Sequence, residues 1–396
     1  MQSVISCYSA ELVFLLAGSD IISMAWEATG VDQRIAARSL ALVGTSVKQQ
    51  ILVWFIIATL LSSVLPNTVV AAVMCSIAMS MLKAVGEGDV KNSKSASLIL
   101  LAIVYGANNG GMLTPLGGAM NLVTVSYIEG FTGTEFLYSD WVVRMLPFTL
   151  LATAVTALFL VGGDCGKKHF DCSREHFREL CRSFPKLDRA GKASMVIFFA
   201  AAILAFTRGL YQQLLPALKP GYIFLIGGLL MFFLKDEHGE AVVTWEKAEK
   251  NLMWGLFFLF SGGTALGALV NGSGAADTLA EIISGINFHS EFTLIIAIVT
   301  LNVILSDVVN NTACAAVTIP IVISIAQGLG LPVIPYLWIA TVSYNLSFTL
   351  PTSIRSIPVG YGLDTRFMFR KGVVVTGCMI LLAVSYTHLT LPTKLE

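Results

Sequence analysis

Two polar segments of matching pattern interrupt apolar stretches of the sequence, and their side chains could bind an anion or a hard cation. The first covers residues 62–73 and the second covers residues 306–317, and both read Ser, four residues, Asn-Thr, two residues, Ala-Ala-Val. Asn and Thr side chains donate hydrogen bonds to a carboxylate and offer oxygen atoms to a cation. A polar break in a membrane interior is costly unless it is buried in protein or lines a cavity. The repeated pattern therefore predicts one site built by two halves of a repeat.

The composition predicts a polytopic membrane protein in a lipid bilayer. Hydrophobic residues make up 55% of the 396 residues, charged residues make up 13%, and the mean hydropathy is +0.76. These values exceed those of a soluble domain of this length. The formal net charge is zero and no basic stripe with interleaved aromatic residues occurs, so no nucleic-acid partner is expected. The apolar spans contain no histidine, and no nucleophile with its base or metal cluster is found at membrane depth, so the chain is not predicted to be an enzyme.

The helices that position the first polar segment lie in residues 1–130. Residues 1–26 contain one apolar span, which we interpret as the remnant of an N-terminal scaffold, and residues 27–130 form a first transport unit that begins with an amphipathic helix at 27–40. Residues 49–82 are apolar around Pro66-Asn67, and each arm is short for a span. This pattern predicts a re-entrant helical hairpin whose tip is formed by residues 65–68.

A glycine-rich stretch interrupts the next apolar segment. Residues 95–128 carry no charge and are broken by residues 106–121, which contain five glycines and Pro115. Glycine weakens a continuous helix and proline removes a backbone donor, so two half-helices joined by exposed backbone are expected. Their free N–H groups would suit an anion or its coupling ion. A packing helix kinked by glycine is the alternative interpretation.

The apolar stretches within residues 141–271 predict scaffold spans on both sides of a polar loop at 164–192. The basic excess of this loop places it in the cytoplasm by the positive-inside rule. Counting crossings from the loop puts a second amphipathic helix, at 274–283, on the outside, whereas the basic first one falls inside. The two hairpins would then enter from opposite faces of the membrane, which predicts an inverted repeat.

The sequence pattern of residues 272–371 predicts a second transport unit, with a hairpin at 292–327 and a broken helix at 333–371. Arg355 lies at the break in residues 347–358. A guanidinium at this depth costs several kcal/mol unless it faces a cavity or a counter-charge, so Arg355 is a site candidate, with snorkelling from a helix end as the alternative. Residues 372–396 begin with an apolar run that stops at Val384, which predicts a truncated last helix followed by a non-native tail.

These motifs, in this order, resemble the divalent anion:sodium symporter family, the dicarboxylate and sulfate transporters of the ion transporter superfamily. The resemblance covers residues 12–383 and rests on the two Asn-Thr tips, on the segment Gly110-Gly111-x-x-Thr114-x-x-Gly117-x-x-x-Asn121, and on residues 245–263. It implies an all-α polytopic fold, an inverted repeat with two re-entrant hairpins and two broken helices, and a homodimer in the plasma or inner membrane. It also implies sodium-coupled transport of a C4-dicarboxylate, citrate or sulfate by an elevator movement.

The resemblance further implies which residues form the site. Substrate contacts are expected from Asn67, Thr68, Asn311 and Thr312. Thr352 and Arg355 of the second break are predicted as further substrate contacts, and Arg355 is so predicted from its depth in an apolar segment and not from the resemblance. The first sodium ion is expected at Ser62, Asn67 and Gly117, and the second at Ser306, Asn311 and Ser353.

The sequence departs from the family pattern in ways that leave alternatives open. Pro66 and Asn310 replace the first Ser of each tip, the paired prolines and Asn of the second break are absent, and Arg355 stands near their place. A guanidinium there could replace a sodium ion or pair with a carboxylate, so a sodium-independent dicarboxylate exchanger is an alternative to the symporter. An arsenite or citrate permease, a channel, and a sodium/proton antiporter that uses Asp307 are further alternatives. Asn, Thr and Arg side chains bind succinate, malate, citrate or sulfate alike, and the anion stays open.

Overall fold

The computed structural model describes residues 11–40, 46–170, 186–252 and 291–390, together with single residues at 8, 179, 182–183 and between 254 and 269. This part of the chain folds into helices and turns, with two isolated bridges between Ser46 and His169 and between Lys235 and Ala241. Six of the described helices are long and apolar enough to cross a membrane. The predicted second amphipathic helix at 274–283 lies outside the described residues.

The N-terminal helix packs against helices from the middle of the chain. The elements in these two parts of the chain are α1 (Glu11–Thr29), α2 (Val31–Leu40), α7 (Tyr138–Val161), α8 (Arg189–Phe206), α9 (Arg208–Tyr211), α10 (Pro220–Met231) and α11 (Trp245–Asn251). Of the middle helices, α8 and α10 contact α1. α1 and α10 touch through their backbones, because a Cβ atom on Gly18 would lie 2.2 Å from the Phe224 carbonyl oxygen. The Trp26 ring packs on Phe198 of α8 at a centroid distance of 4.7 Å. We call α1, α8 and α10 the scaffold group.

The first polar segment separates two helices that pack against a third. The elements are α3 (Val47–Ser62), α4 (Asn67–Ala84), α5 (Lys94–Gly111), a 3-10 turn (Pro115–Gly117) and α6 (Ala119–Thr132). α3 and α5 approach closely along two glycines. A Cβ atom on Gly106 would lie 2.4 Å from the Phe55 carbonyl oxygen, and one on Gly110 would lie 2.0 Å from that of Thr59. These glycines therefore serve helix packing, and α5 ends only at Gly111.

The second polar segment has the same order of elements. They are α12 (Glu291–Val308), α13 (Asn311–Gly328), α14 (Val333–Tyr344), a second 3-10 turn (Ser353–Arg355), α15 (Ser356–Gly360) and α16 (Thr365–Thr390). α13 and α14 pack against α6 of the first half. The two sets of broken elements, α3–α6 and α12–α14 with their 3-10 turns, thus form one body, which we call the tip group.

The last helix is longer than predicted. α16 begins at Thr365, before the apolar run that starts at Gly372, and its stretch Thr365–Thr387 is long and apolar enough to cross a membrane. The Tyr386 ring packs on Phe148 of α7 at a centroid distance of 5.4 Å. The helix extends beyond the apolar run at both ends, from Thr365 to Thr390, and the truncation of the last helix and the non-native tail stay a prediction. Residues 391–396 lie outside the described residues.

Candidate functional site

A cavity of about 200 Å³ lies where the two polar segments meet α1. Its walls pair residues of the two halves. They are Pro66, Asn67 and Thr68 of the first segment, Asn310, Asn311 and Thr312 of the second, and Leu116 and Ile354 of the two 3-10 turns. Asn67 begins α4 and Asn311 begins α13, so the N-termini of two helices meet at the cavity. Helix N-termini carry free N–H groups and the positive end of the helix dipole, and the cavity is therefore suited to an anion with two charged groups.

α1 contributes a further part of the cavity wall. Leu15, Leu16, Ser19 and Asp20 line this wall, and Asp20 is buried. The sequence interpretation treated residues 1–26 as scaffold and missed this contribution. The signal that could have found it is Asp20 itself, an acidic residue within an apolar stretch.

Backbone oxygens converge beside Asn67 at the first break. A Cβ atom on Gly117 would lie 2.6 Å from the Ser62 carbonyl oxygen and 2.8 Å from that of Gly111. A Cβ atom on Gly111 would lie 3.2 Å from the Gly117 carbonyl oxygen and 3.4 Å from the Asn67 side-chain amide. We call the carbonyls of Ser62, Gly111 and Gly117 the first cradle. Carbonyl oxygens are ligands for a hard cation, so the three backbone carbonyls fit a sodium ion, whereas the nearest Asn67 atom is its amide nitrogen, a donor.

Side-chain hydrogen bonds hold the first tip against the first break. The Ser62 hydroxyl donates to the Ala107 carbonyl at 2.8 Å, and the Thr114 hydroxyl donates to the Ser63 carbonyl. The Asn121 amide donates to the carbonyls of Gly111 and Thr114 at 2.7 and 2.8 Å. Thr114 also accepts from the Gly117 N–H and so caps the 3-10 turn. The backbone of the first cradle is therefore fixed by its neighbours.

The second half repeats this arrangement with different residues. The Thr352 hydroxyl donates to the Asp307 carbonyl at 2.7 Å, as Thr114 does to Ser63. A 3-10 turn follows Thr352 as one follows Thr114, so Arg355 ends the second turn where Gly117 ends the first. Asp307 likewise stands in the place of Ser63. Ser353 has φ +53°, a left-handed conformation that non-glycine residues rarely adopt.

The Arg355 guanidinium is buried among protein oxygens. Nε donates to the Leu350 carbonyl at 2.7 Å, and Nη1 donates to the carbonyl and hydroxyl of Ser347 at 3.0 and 2.7 Å. Nη2 donates to the Thr352 hydroxyl at 2.7 Å and lies 3.4 Å from Asp307 Oδ1. The Asp307 carboxylate also accepts the Thr349 N–H at 3.0 Å and the Thr349 hydroxyl. Every guanidinium nitrogen thus faces at least one oxygen of the protein.

The structure brings some predicted site residues together and separates others. Asn67, Thr68, Asn311, Thr312 and Ser353 line the cavity. Within the described part of the chain, Thr352 and Arg355 are not among its lining residues. Their side chains are instead hydrogen-bonded to each other, and the Thr352 hydroxyl donates to the Asp307 carbonyl. Ser62 and Gly117 lie at the first cradle. Ser306 instead donates to the Val303 carbonyl of its own helix at 3.2 Å.

A chain of buried amides links the two breaks. The Asn311 amide donates to Asn108 Oδ1 at 3.2 Å, and the Ser347 hydroxyl donates to Asn311 Oδ1 at 2.8 Å. Asn108 donates to the Asn345 carbonyl at 2.6 Å, and Asn345 donates to Asn121 Oδ1 at 3.3 Å. The sequence interpretation did not single out Asn108 or Asn345, although both interrupt uncharged apolar stretches. Through this network the side chain of Asn311 is already engaged, whereas that of Asn67 faces the first cradle.

Comparisons with known proteins identify a family and relatives of this chain. A family model described as CitMHS, citrate transporter, matches residues 1–343. The sodium-dependent dicarboxylate transporter SdcS of Staphylococcus saprophyticus is 25% identical over 410 residues, covering 99% of this chain and 78% of the relative. SdcS of Staphylococcus aureus strain USA300 is 26% identical over 407 residues, covering 97% of this chain and 78% of the relative.

A solved structure shares the fold. The crystal structure of the Alcanivorax borkumensis YdaH transporter, described as having an unusual topology, aligns with a TM-score of 0.63 and 13% identity, covering 98% of this chain and 87% of that chain. The family model and the relatives describe transporters, which confirms the resemblance drawn from the motifs and the prediction that the chain is not an enzyme.

Proposed function

Because the chain belongs to the CitMHS citrate transporter family, we propose that this integral membrane protein is a secondary active transporter that carries a small divalent organic anion together with sodium. The anion in this proposal is a C4-dicarboxylate such as succinate, with citrate as the second candidate. The observation that carries the proposal is the cavity at which two helix N-termini and two Asn-Thr pairs meet. The printed names of the relatives, sodium-dependent dicarboxylate transporters, support the same substrate class.

A dicarboxylate matches the paired construction of the cavity. One carboxylate would bind at the start of α4, near Asn67 and Thr68, and the other at the start of α13, near Asn311 and Thr312. Hydrogen bonds from amide, hydroxyl and backbone N–H groups to a charged carboxylate are stronger than those to a neutral group. A monocarboxylate would leave one set of donors without a charged partner. Affinity should therefore depend on both ends of the substrate.

Sodium binding at the first cradle would couple the ion to the substrate. The cradle uses the Ser62 carbonyl of the tip and the carbonyls of Gly111 and Gly117 on both sides of the break. An ion held there would fix the tip against the break and would orient Asn67, which also lines the cavity. Each ligand then strengthens binding of the other, which is the thermodynamic requirement for coupled transport.

The proposal includes the architecture that the family resemblance implies. We take α3–α4 and α12–α13 as two re-entrant hairpins of an inverted repeat, and the helices interrupted by the 3-10 turns as the two broken helices. The tip group would move as an elevator against the scaffold group. The matched tips and turns at the cavity support the repeat. A multi-pass location in the plasma or inner membrane and a homodimer complete the proposal, and the homodimer rests on the resemblance.

The antiporter alternative finds less support in this geometry. A proton carrier needs a carboxylate that is free to exchange protons, and Asp307 instead accepts hydrogen bonds from Thr349 and lies against Arg355. The exchanger alternative keeps one supporting observation, which is the guanidinium of Arg355 near the second predicted cation position.

Uptake of labelled succinate into proteoliposomes tests the proposal. An inward sodium gradient is expected to drive succinate above its external concentration, and replacement of sodium by choline is expected to abolish this accumulation. Unlabelled citrate in excess is expected to compete with labelled succinate, because citrate is the second candidate substrate. Butyrate, a monocarboxylate, should not compete. Uptake that ignores sodium and requires succinate preloaded inside would contradict symport and would establish the exchanger.

A further inference from the structure

We propose that Arg355 and Asp307 form a fixed ion pair that takes the place of the second sodium ion and holds the second tip against the second break throughout transport. This inference rests on the proposed sodium-coupled transport of a dicarboxylate. It concerns the residues at which the two halves of the cavity differ, and it changes the number of ions expected in each transport cycle.

The two breaks have matching residues at matching positions. Thr114 and Thr352 each donate to the backbone carbonyl of a tip residue, Ser63 and Asp307, and each precedes a 3-10 turn. The turns end at Gly117 and Arg355. In the first half the missing Cβ atom of Gly117 leaves the space of the first cradle. In the second half the equivalent position carries the largest cationic side chain.

Oxygen atoms of the protein surround the Arg355 guanidinium. Arg355 binds the carbonyls of Leu350 and Ser347 in the break, two hydroxyls, and the Asp307 carboxylate of the second tip. Carbonyl, hydroxyl and carboxylate oxygens are also what a hard cation requires. The guanidinium spans these oxygens with a rigid fork of five donors and cannot be deprotonated in proteins. It is therefore a permanent cation that joins the tip to the break.

A sodium ion and the Arg355–Asp307 pair differ in the charge that they add to the transport cycle. Sodium at the first cradle adds a positive charge that leaves when the ion leaves. The Arg355 and Asp307 side chains are 1% and 7% exposed, and together they have no net charge. The pair thus provides the connection between tip and break that an ion would provide, but it adds no charge to the cycle. One sodium ion with one succinate dianion would then carry one net negative charge into the vesicle.

The wild-type protein permits a direct test of this charge. Succinate uptake into proteoliposomes is measured under a sodium gradient while potassium and valinomycin set the membrane potential. A positive interior should raise the steady-state accumulation of succinate about tenfold for each ~60 mV, because one net negative charge enters per cycle. Sodium-driven accumulation that does not respond to the potential, or that rises with a negative interior, would overturn the proposal.

A double variant should restore the second ion. Asp307→Ser with Arg355→Gly gives the second half the residues of the first half at these two positions. Removal of both partners leaves no buried charge unpaired, which is less disruptive than removal of one. The expected result is an increase from one to two sodium ions per succinate and accumulation that no longer responds to the potential. A folded double variant that keeps the wild-type ion ratio would contradict the proposal.

Arg208 and Glu135 provide a matched control. Arg208 is also buried, its Nε lies 2.7 Å from Glu135 Oε1, and its Nη2 lies 3.0 Å from Oε2. Glu135→Ser with Arg208→Gly removes an equivalent ion pair that does not line the cavity, and it should leave the ion ratio and the response to potential at wild-type values.

The experiment separates failure of this inference from failure of the proposed function. If wild-type protein accumulates succinate with sodium but without response to the potential, only the ion pair proposal fails. If wild-type protein takes up no succinate, the proposed function fails. If the double variant does not fold, the wild-type response to the potential still decides, and Arg355→Lys, which keeps the cation, should retain that response.

Discussion

At the scale of single residues, the same residue types serve the two halves of the cavity differently. Asn67 lines the cavity and faces the first cradle, whereas Asn311 lines the cavity while bonded to Asn108 and Ser347. Protein groups thus engage the Asn311 side chain at the second tip, whereas the Asn67 side chain lies beside the carbonyls of the first cradle. The threonines that follow, Thr68 and Thr312, also line the cavity, and the Thr68 hydroxyl donates to Asn67 Oδ1 at 3.4 Å. They are the clearest test of substrate contact.

Thr68→Val and Thr312→Val should each raise the KM for succinate about tenfold or more and change the maximal rate less. Valine keeps the shape of threonine but loses the hydroxyl, and a hydrogen bond to a charged group contributes about 1.5–3 kcal/mol. Uptake measured over a range of succinate concentrations checks this. Thr207→Val is the matched control, because among the described residues the Thr207 hydroxyl bonds only to carbonyls of α8, and this variant should keep the wild-type KM.

Asp307→Asn should destabilise the protein by about 3 kcal/mol, because it leaves the buried Arg355 guanidinium without its counter-charge. Thermal unfolding in detergent gives the decrease in Tm. The loss of the monodisperse peak in size-exclusion chromatography reports the unfolded fraction at each temperature. Glu246→Gln is the control. Its partner Lys250 is 2.7 Å away, but both side chains are mostly exposed, and exposed pairs contribute little. An unchanged Tm in Asp307→Asn would contradict the role of the ion pair.

The sequence identified these residues unevenly, and for a physical reason. The Asn-Thr pairs could be found because a polar pair within an apolar stretch stands out and the pattern recurs. Arg355 was recognised as unusual, but its partners come from the second tip and from residues 347–352, which precede the 3-10 turn. Such a set is defined by the approach of elements that are distant in the sequence, so the sequence alone left the ion pair and the substrate contact as open alternatives.

At the scale of elements, close helix packing determines where the first broken helix breaks. The paired helices cover Val47–Ala84 and Glu291–Gly328 with their tips, close to the bounds 49–82 and 292–327 of the predicted hairpins, and their re-entrant course stays a prediction. The predicted break at 106–121 begins too early, because α5 remains helical to Gly111. A glycine in a sequence signals either flexibility or a close backbone approach, and only the position of α3 distinguishes the two.

Gly110→Ala should therefore weaken the protein, whereas Gly130→Ala should not. A Cβ atom at position 110 would lie 2.0 Å from the Thr59 carbonyl oxygen, so α3 and α5 would have to separate. Such overpacking costs about 1–3 kcal/mol. Gly130 lies in α6 with no heavy atom within 4 Å of the added Cβ, and alanine there should preserve or slightly raise stability. Thermal unfolding of the two variants in detergent gives the comparison.

At the scale of the whole molecule, the cavity lies at the boundary between the two groups of helices. Leu15, Leu16, Ser19 and Asp20 belong to the scaffold group, and the remaining lining residues belong to the tip group. Sequence patterns could separate tip elements from scaffold spans, because charge and glycine content differ between them. They could not predict that α1 faces the cavity, since this depends on how the two groups meet.

The boundary gives the proposed elevator movement a direct test. If the tip group slides along α1 during transport, a covalent link across the cavity must stop uptake. Ser19→Cys of α1 and Leu116→Cys of the first 3-10 turn place one thiol on each group, in a background in which the seven native cysteines are replaced. A short, cleavable bifunctional thiol reagent should abolish sodium-driven succinate uptake in the double variant, and a reducing agent should restore it. Each single variant should keep its uptake.

A link within the scaffold group separates movement from general rigidity. The rings of Phe14 on α1 and Tyr222 on α10 lie 5.8 Å apart at their centroids. Phe14→Cys with Tyr222→Cys should form the link equally well and continue to transport, because both residues move together. Uptake that persists in the Ser19–Leu116 pair after complete linking would show that the tip group does not slide along α1. The tips alone would then have to open and close the site, and transport would depend on local movement of residues 62–68 and 306–312.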